Sequence, residues 1–351
     1  MPENHFSYGV VEGFYGKPWS WEDREQCIRF MKDYGYDFYI YAPKSAHFLR
    51  EKWQDEWPDE VCQKLDDFSK SCKAKGIRFG IGLSPFEILG DLDNKLKEDL
   101  QNKLDAINGL NPDILCILFD DMKGDVSDLA KKQVKIFDFS ATLSNALSFI
   151  ICPSYYTIDP ILEKLFGKMP ENYLHDLGKM MDPAVDIFWT GIQVCSPGYT
   201  KSHLNEIADV LRRKPFIWDN YPVNDSPSLS SFLRLRAYIN RPYQMSEWTN
   251  GHAINPMNQA WLSQIPMRTL FQSYTLKETY SPQTSFIESA KTLCGQELGN
   301  ALIEDIVFFQ DKGLKNMTED EKKSLLDKYQ TFQSPYAKEV QGWLRGDYQG
   351  D

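Results

Sequence analysis

The chain has 351 residues, 42% of them hydrophobic and 14% aromatic, which is enough apolar material for one large buried core and a second small one and excludes a disordered chain. Its formal net charge of −11 argues against nucleic acid or an anionic membrane as the main partner, since both need clustered Lys and Arg to displace counterions, whereas a neutral substrate is compatible. The longest apolar runs, such as residues 114–119 and 147–152, are too short to cross a bilayer, and no charged-then-apolar start resembles an export signal, so a soluble cytoplasmic chain is expected.

Eight short apolar runs alternate with longer segments of helical period over the first 270 or so residues, the pattern of a strand-helix alternation with a parallel sheet. They lie at residues 8–11, 38–41, 78–83, 114–119, 149–152, 185–189, 215–218 and 253–254, the last being the weakest. Ser20 precedes a helix whose Cys27, Ile28, Met31 and Tyr34 fall on one face, and Val134, Phe137 and Ala141 repeat that spacing after the fourth run. Eight such units in about 250 residues predict a (β/α)8 TIM barrel, of the α/β class. A doubly wound open sheet is the competing fold, and the first run lacks the Gly-rich phosphate loop such a sheet uses.

After Ser273 the strand signals stop. Residues 286–294 and 298–309 read as helices, and Thr318 with Glu321 forms a capping box that opens another. A barrel catalytic domain over 1–275 and a helical C-terminal appendage over 276–351 are therefore expected, the appendage packing on the barrel or on a partner. Seven cysteines with no Cys-x-x-Cys pair read as thiols of a reducing compartment. His5, His47, His175, His203 and His252 form no His-Glu-x-x-His pattern, so neither a metal nor another cofactor is expected.

Active sites of such barrels sit at the C-terminal ends of the strands. The polar residues there are Glu12 and Gly13, Lys44, Ser84, Asp120 and Asp121, Ser154 to Tyr156, Asp219 and Asn220, and Asn255. Adjacent carboxylates are costly to ionise together, so Asp120 and Asp121 should divide into a neutral acid and an anion, the division glycoside hydrolysis requires. Neighbours in a regular strand point to opposite faces, an objection that weakens where a strand ends and the chain turns. A second reading makes the pair a cap for the following helix. Lys44 by default is a solvated loop lysine. Trp218, Asp219, Asn220, Asp225 and their neighbours combine a sugar-stacking aromatic with short hydrogen-bonding side chains, or else form a strand end and turn. Gly13 and Gly16 fit turns, and Tyr15, Trp19, Trp53 and Trp57 fit either a saccharide cleft or core packing.

Taken in order, the motifs Gly9-Val-Val-Glu-Gly-Phe-Tyr-Gly-Lys-Pro-Trp19, Tyr39-Ile-Tyr-Ala-Pro-Lys44, Leu118-Phe-Asp-Asp121, Cys152-Pro-Ser-Tyr-Tyr156, Trp189-Thr-Gly191, Trp218-Asp-Asn220 with Asp225, and Ile254-Asn-Pro-Met257 closely resemble the catalytic domain of glycoside hydrolase family 84. That family holds the protein O-GlcNAcases and related bacterial β-N-acetylglucosaminidases. The resemblance runs from about Tyr8 to about Ser273. It implies retaining, exo-acting removal of β-linked N-acetylglucosamine (GlcNAc) from a glycan or glycoprotein, with the substrate's own acetamido oxygen as nucleophile and an oxazoline intermediate, an exception to the two-carboxylate scheme.

The resemblance gives Asp120 the task of orienting and polarising the acetamido N–H, and Asp121 that of general acid and then base. Tyr156 matches the position that hydrogen-bonds the forming oxazoline, Asn220 the one supporting the acetamido group, and Trp218 part of the pocket wall. Gly13, Lys44, Asp225 and Asn255 match positions holding ring hydroxyls. The loop 45–50 and the segment 221–223 depart from the animal members, so aglycone preference is not carried over. An inactive carbohydrate-binding or scaffold protein and an endo-acting hyaluronidase are the alternatives; the first is opposed by the full set of catalytic positions, the second by the lack of a basic track for a polyanion. Asn-x-Ser/Thr matches at Asn224 and Asn316 read as chance, and modification at Asn224 would block the pocket.

Overall fold

The computed structural model describes residues 6–348 apart from Glu87 and Leu89. Eight strands, β1 (Ser7–Glu12), β2 (Phe38–Tyr41), β3 (Arg78–Leu83), β4 (Ile114–Leu118), β5 (Ser148–Cys152), β6 (Asp186–Trp189), β7 (Phe216–Asp219) and β8 (Gly251–Ile254), close in sequence order into a barrel. The ladders from β1 through β7 are parallel, with Leu118 of β4 opposite Cys152 of β5. Strands buried on both faces need no polar alternation. That is why Ile-Leu-Cys-Ile-Leu of β4, every residue buried, reads as one apolar run. Helices fill the connections, including Trp21–Asp33, Asp59–Ala74, Asn94–Gly109, Leu129–Leu143 and Lys201–Leu211, and the fold is the expected (β/α)8 barrel followed by a helical region. Ser20 opens the first helix through a full capping box with Asp23. Crowding fixes Gly82 of β3, where a Cβ would sit 2.6 Å from that of Ala42 and 2.8 Å from a Leu118 methyl.

The chain divides into two compact units that interleave in sequence. The first holds the chain up to Glu12, Tyr36–Asp219 and Gln244–Ala253; the second holds Gly13–Gly35, Asn220–Tyr243 and the chain from Ile254 onward. In the second unit the apolar positions of the late helices face Leu233, Leu235, Met257 and Leu262, forming one core with Phe286, Leu302, Phe309, Tyr329, Val340 and Trp343. Thr318 and Glu321 form the expected capping box for the helix Glu319–Gln330.

The last described helix, Pro335–Arg345, inserts Glu339 at the start of the helix Ala260–Leu276, where its carboxyl accepts from the backbone N–H groups of Trp261 (3.0 Å) and Leu262 (2.8 Å). Burial pushes this carboxyl up to about 8, against those two hydrogen bonds and with a smaller push from Asp23. A raised folded-state value means that the group's contribution is complete below its unfolded value and is lost as pH rises through about 8. Glu339→Gln, which cannot ionise, is therefore expected to gain thermal stability relative to wild type as pH rises from about 4.5 to about 8. Melting curves across that window check it; a constant difference in Tm would sink the prediction.

Candidate active site

β4 ends at Leu118, and the chain then leaves the strand path. Phe119 still donates its N–H to Cys152 (2.9 Å), but Asp121 has φ 55°, in the left-handed region. That conformation costs a non-glycine residue about 1–2 kcal/mol, so neighbouring contacts must hold it. Ser154 Oγ donates to the Phe119 carbonyl (2.8 Å) and Arg50 Nη2 to the Asp121 carbonyl (3.3 Å). Ser154 is itself fixed: its backbone N–H donates to Tyr173 Oη (3.1 Å), that hydroxyl donates to Gln133, and Gln133 Nε2 donates back to Ser154 Oγ (2.7 Å). The turn removes the alternation that would send Asp120 and Asp121 to opposite faces.

Asp120 is 5% exposed and forms a buried ion pair with Lys44. Burial works against its charge, but the ammonium of Lys44 and then the guanidinium of Arg50 outweigh it and hold the carboxyl below its ordinary range. One oxygen thus faces Lys44, while the other, Oδ1, is buried with no hydrogen-bond partner among the described residues. An orphaned acceptor of this kind costs about 1–3 kcal/mol and calls for an explanation. Asp121 Oδ1 accepts from the hydroxyl of Tyr156 (2.9 Å). Burial first, then the charges of Asp121 and Asp120, raise the Tyr156 phenol, which keeps it a donor. Trp218 is buried edge-on to Phe188, with the Lys44 ammonium 6.0 Å from its ring centroid.

The first unit thereby brings together five of the residues singled out in the sequence: Lys44, Asp120, Asp121, Tyr156 and Trp218. The default reading of Lys44 as a solvated lysine is overturned, because its ammonium is the counter-charge of Asp120. Three other polar strand ends turn out to be supports. Glu12 accepts from the Tyr39 hydroxyl, Asp219 lies 3.0 Å from Nε2 of the fully buried His252, and Ser84 Oγ accepts from Arg50 Nη1 (3.2 Å). Arg50 was not among the candidates. Charged loop residues default to solvent, and the one signal available was its position six residues after Lys44 in the same motif region.

The second unit groups the remaining candidates. Gly13 donates its N–H to Asn255 Oδ1 (3.3 Å), and Asn255 Nδ2 donates to Asn220 Oδ1 (3.0 Å). Asp225 Oδ2 accepts from the N–H of Tyr15 (2.8 Å). Asn258 ties the same segment by donating to the carbonyls of Tyr15 (2.8 Å) and Lys17 (2.9 Å). Asn224 is buried, donating to the Phe232 carbonyl and Gln259 Oε1 and accepting from the Asn258 N–H, which leaves its amide no room for a glycan. Asn316 is exposed. Of the four aromatics weighed for a cleft, only Tyr15 is exposed; Trp19, Trp53 and Trp57 are core side chains.

No group of three or more His, Cys, Asp or Glu side chains is placed to hold a metal among the described residues, and His5 lies outside them. None of the seven cysteines is bridged in a disulfide, and no described helix is long and apolar enough to cross a membrane.

A model of the family described as beta-N-acetylglucosaminidase matches residues 8–309. The protein O-GlcNAcases of Rattus norvegicus and Mus musculus are each 27% identical to the chain over 278 residues, which is 77% of this chain and 30% of theirs. The chain thus matches less than a third of the length of these relatives. A mutant of the O-GlcNAc hydrolase of Thermobaculum terrenum superposes with a TM-score of 0.80 at 27% identity, covering 97% of this chain and 81% of that one.

Proposed function

Because the chain belongs to the beta-N-acetylglucosaminidase family of glycoside hydrolases, we propose that it is a retaining exo-β-N-acetylglucosaminidase acting on terminal β-linked GlcNAc of a glycan or glycoprotein, by substrate-assisted catalysis. The observation that carries the reading is Asp120: an ionised carboxylate, anchored through one oxygen to Lys44, whose other oxygen is buried and unpartnered. Such a group suits one fixed donor, and the acetamido N–H of the substrate is that donor.

In the first step the acetamido carbonyl oxygen bonds to the anomeric carbon while the bond to the aglycone breaks. The electron pair goes to the leaving oxygen, which takes the proton of Asp121. Asp120 holds the N–H and offsets the positive charge that develops on the acetamido group, which closes into the protonated oxazoline (oxazolinium) with its N–H proton still on nitrogen and shared with Asp120. In the second step Asp121, now a carboxylate, takes a proton from water as the water oxygen bonds to the anomeric carbon and the ring bond to the acetamido oxygen breaks. Two displacements at one carbon leave its configuration unchanged.

In the first unit Tyr156 donates to the acetamido oxygen as the ring forms, Trp218 walls the pocket and Lys44 holds a ring hydroxyl; the motif resemblance alone assigns Asn220 to the acetamido group and Gly13, Asp225 and Asn255 to ring hydroxyls. A reducing, cytoplasmic setting fits seven cysteines without a disulfide.

Hydrolysis of an aryl β-N-acetylglucosaminide followed by proton NMR tests the reading. The β-anomer is expected to appear first. Initial α-anomer would overturn the oxazoline route, and folded protein without turnover would overturn the activity.

A further inference from the structure

The loop after β2 carries a short turn of helix, His47–Leu49, and ends on Arg50. Its backbone is anchored at both sides, because Arg50 donates its N–H to the His47 carbonyl (3.1 Å) and Leu49 accepts from the N–H of Ser84 (2.8 Å). Arg50 is 6% exposed, and its guanidinium stacks on Phe86, the guanidinium carbon 4.4 Å from the ring centroid. Burying a guanidinium without a task is expensive. Two of its nitrogens go to separate acceptors on different strand ends, Nη1 to Ser84 Oγ (3.2 Å) and Nη2 to the backbone carbonyl of Asp121 (3.3 Å).

Packing against Phe86 explains the stem and the stacking, but it does not explain the second contact. A carbonyl in the left-handed turn of Asp121 is where a clamp has the most effect, since that residue is held in a conformation it does not favour. The same guanidinium is the second cation, after Lys44, acting on Asp120. A planar fork can reach two acceptors in fixed directions while its charge acts on a third group; an ammonium supplies the charge without the fork.

We propose that Arg50 is a positioning residue for the hydrolysis: its fork fixes the backbone turn that aims the Asp121 carboxyl. This rests on the glycosidase reading above and adds to it a residue that touches neither substrate nor reacting atoms. Lys44 and Arg50 favour the charge of Asp120, whereas the Tyr156 phenol and the Cys152 thiol are each pushed up with Asp120 among the causes.

The fork and the charge separate in experiment. Arg50→Met and Arg50→Lys are compared with wild type on a pair of aryl β-N-acetylglucosaminides, one with a strongly acidic phenol as leaving group and one with a weakly acidic phenol, across pH. A misaimed acid hurts the substrate that needs protonation, so Arg50→Met is expected to lose about tenfold more kcat/KM on the poor leaving group than on the good one. Its acid limb of kcat/KM is also expected to move to higher pH, as Asp120 loses a cation. Arg50→Lys keeps the charge but not the fork. It should therefore restore the acid limb and retain the leaving-group penalty, and it serves where the methionine variant does not fold. Equal losses on both substrates with an unmoved acid limb, in the presence of an active wild type, would overturn the inference alone. An inert wild type would overturn the glycosidase reading on which it stands.

Discussion

Asp121→Asn is expected to lower kcat by about 10²–10⁴-fold on substrates with poor leaving groups, the contribution of a positioned general acid-base group. The substitution is chosen to leave the structure in place. Asparagine is among the few residues that accept the left-handed region, and its side-chain oxygen still accepts from the Tyr156 hydroxyl. What is lost is the proton and, in the second step, the base. With a good aryl leaving group the first step needs little protonation, and the second becomes limiting because water is no longer activated. Added azide, a nucleophile that arrives without a proton to remove, is then expected to restore turnover and to give the β-glycosyl azide. Steady-state rates and product analysis check both parts; an undiminished kcat on a poor leaving group would remove Asp121 from the acid role.

Much of this arrangement was legible in the sequence because the barrel writes its strands as apolar runs bounded by turns. β2 and β3 fall on the residues read as apolar runs, and β4 differs by one. β8 was read only as residues 253–254, since Gly251 and the buried His252 hide its first half: a glycine and a polar ring do not signal a strand, and the ring is tolerated inside because Asp219 meets it. Asp120 and Asp121 stood out as a charged pair ending an apolar run, but the turn that reconciles their directions is a matter of φ at one residue and leaves no periodic trace. Arg50 was missed, and the pairing of Lys44 with Asp120 was not legible, for a common reason. A cation in a loop is ordinarily solvated, and what buries these two is a carboxylate or a carbonyl brought by strands that lie tens of residues away. The same holds for Glu339, whose partners are backbone N–H groups exposed only once another helix has begun. Long-range pairing of charge with an unsatisfied terminus or turn has no local signature.

Asp120→Asn should damage chemistry and stability together, and the two losses can be taken apart. On the chemical side the amide cannot supply the negative charge opposite the developing oxazoline, and loss of one such electrostatic partner typically costs about 10²–10³ in kcat. Because the acetamido group takes part in both displacements, this loss is expected to be nearly the same for good and poor leaving groups, unlike that of Asp121→Asn. On the stability side Lys44 is left buried without its counter-charge, and removing one partner of a buried pair costs about 3–5 kcal/mol. Lys44→Met leaves the complementary defect, an anion with only Arg50 to balance it, and its depressed folded-state value turns the sign: the stability carried by Asp120 is present above the unfolded value and lost as pH falls through the folded one. The double variant Asp120→Asn, Lys44→Met leaves neither charge unpaired. It is therefore expected to be more stable than the sum of the single losses predicts while remaining at least as inactive as Asp120→Asn, since Lys44 is also assigned to a ring hydroxyl. Denaturant melts of the four proteins, read beside their kcat on two leaving groups, decide the matter: additive stability losses would show that Lys44 and Asp120 do not act as a pair, and a recovery of activity in the double variant would show that the missing activity was only misfolding.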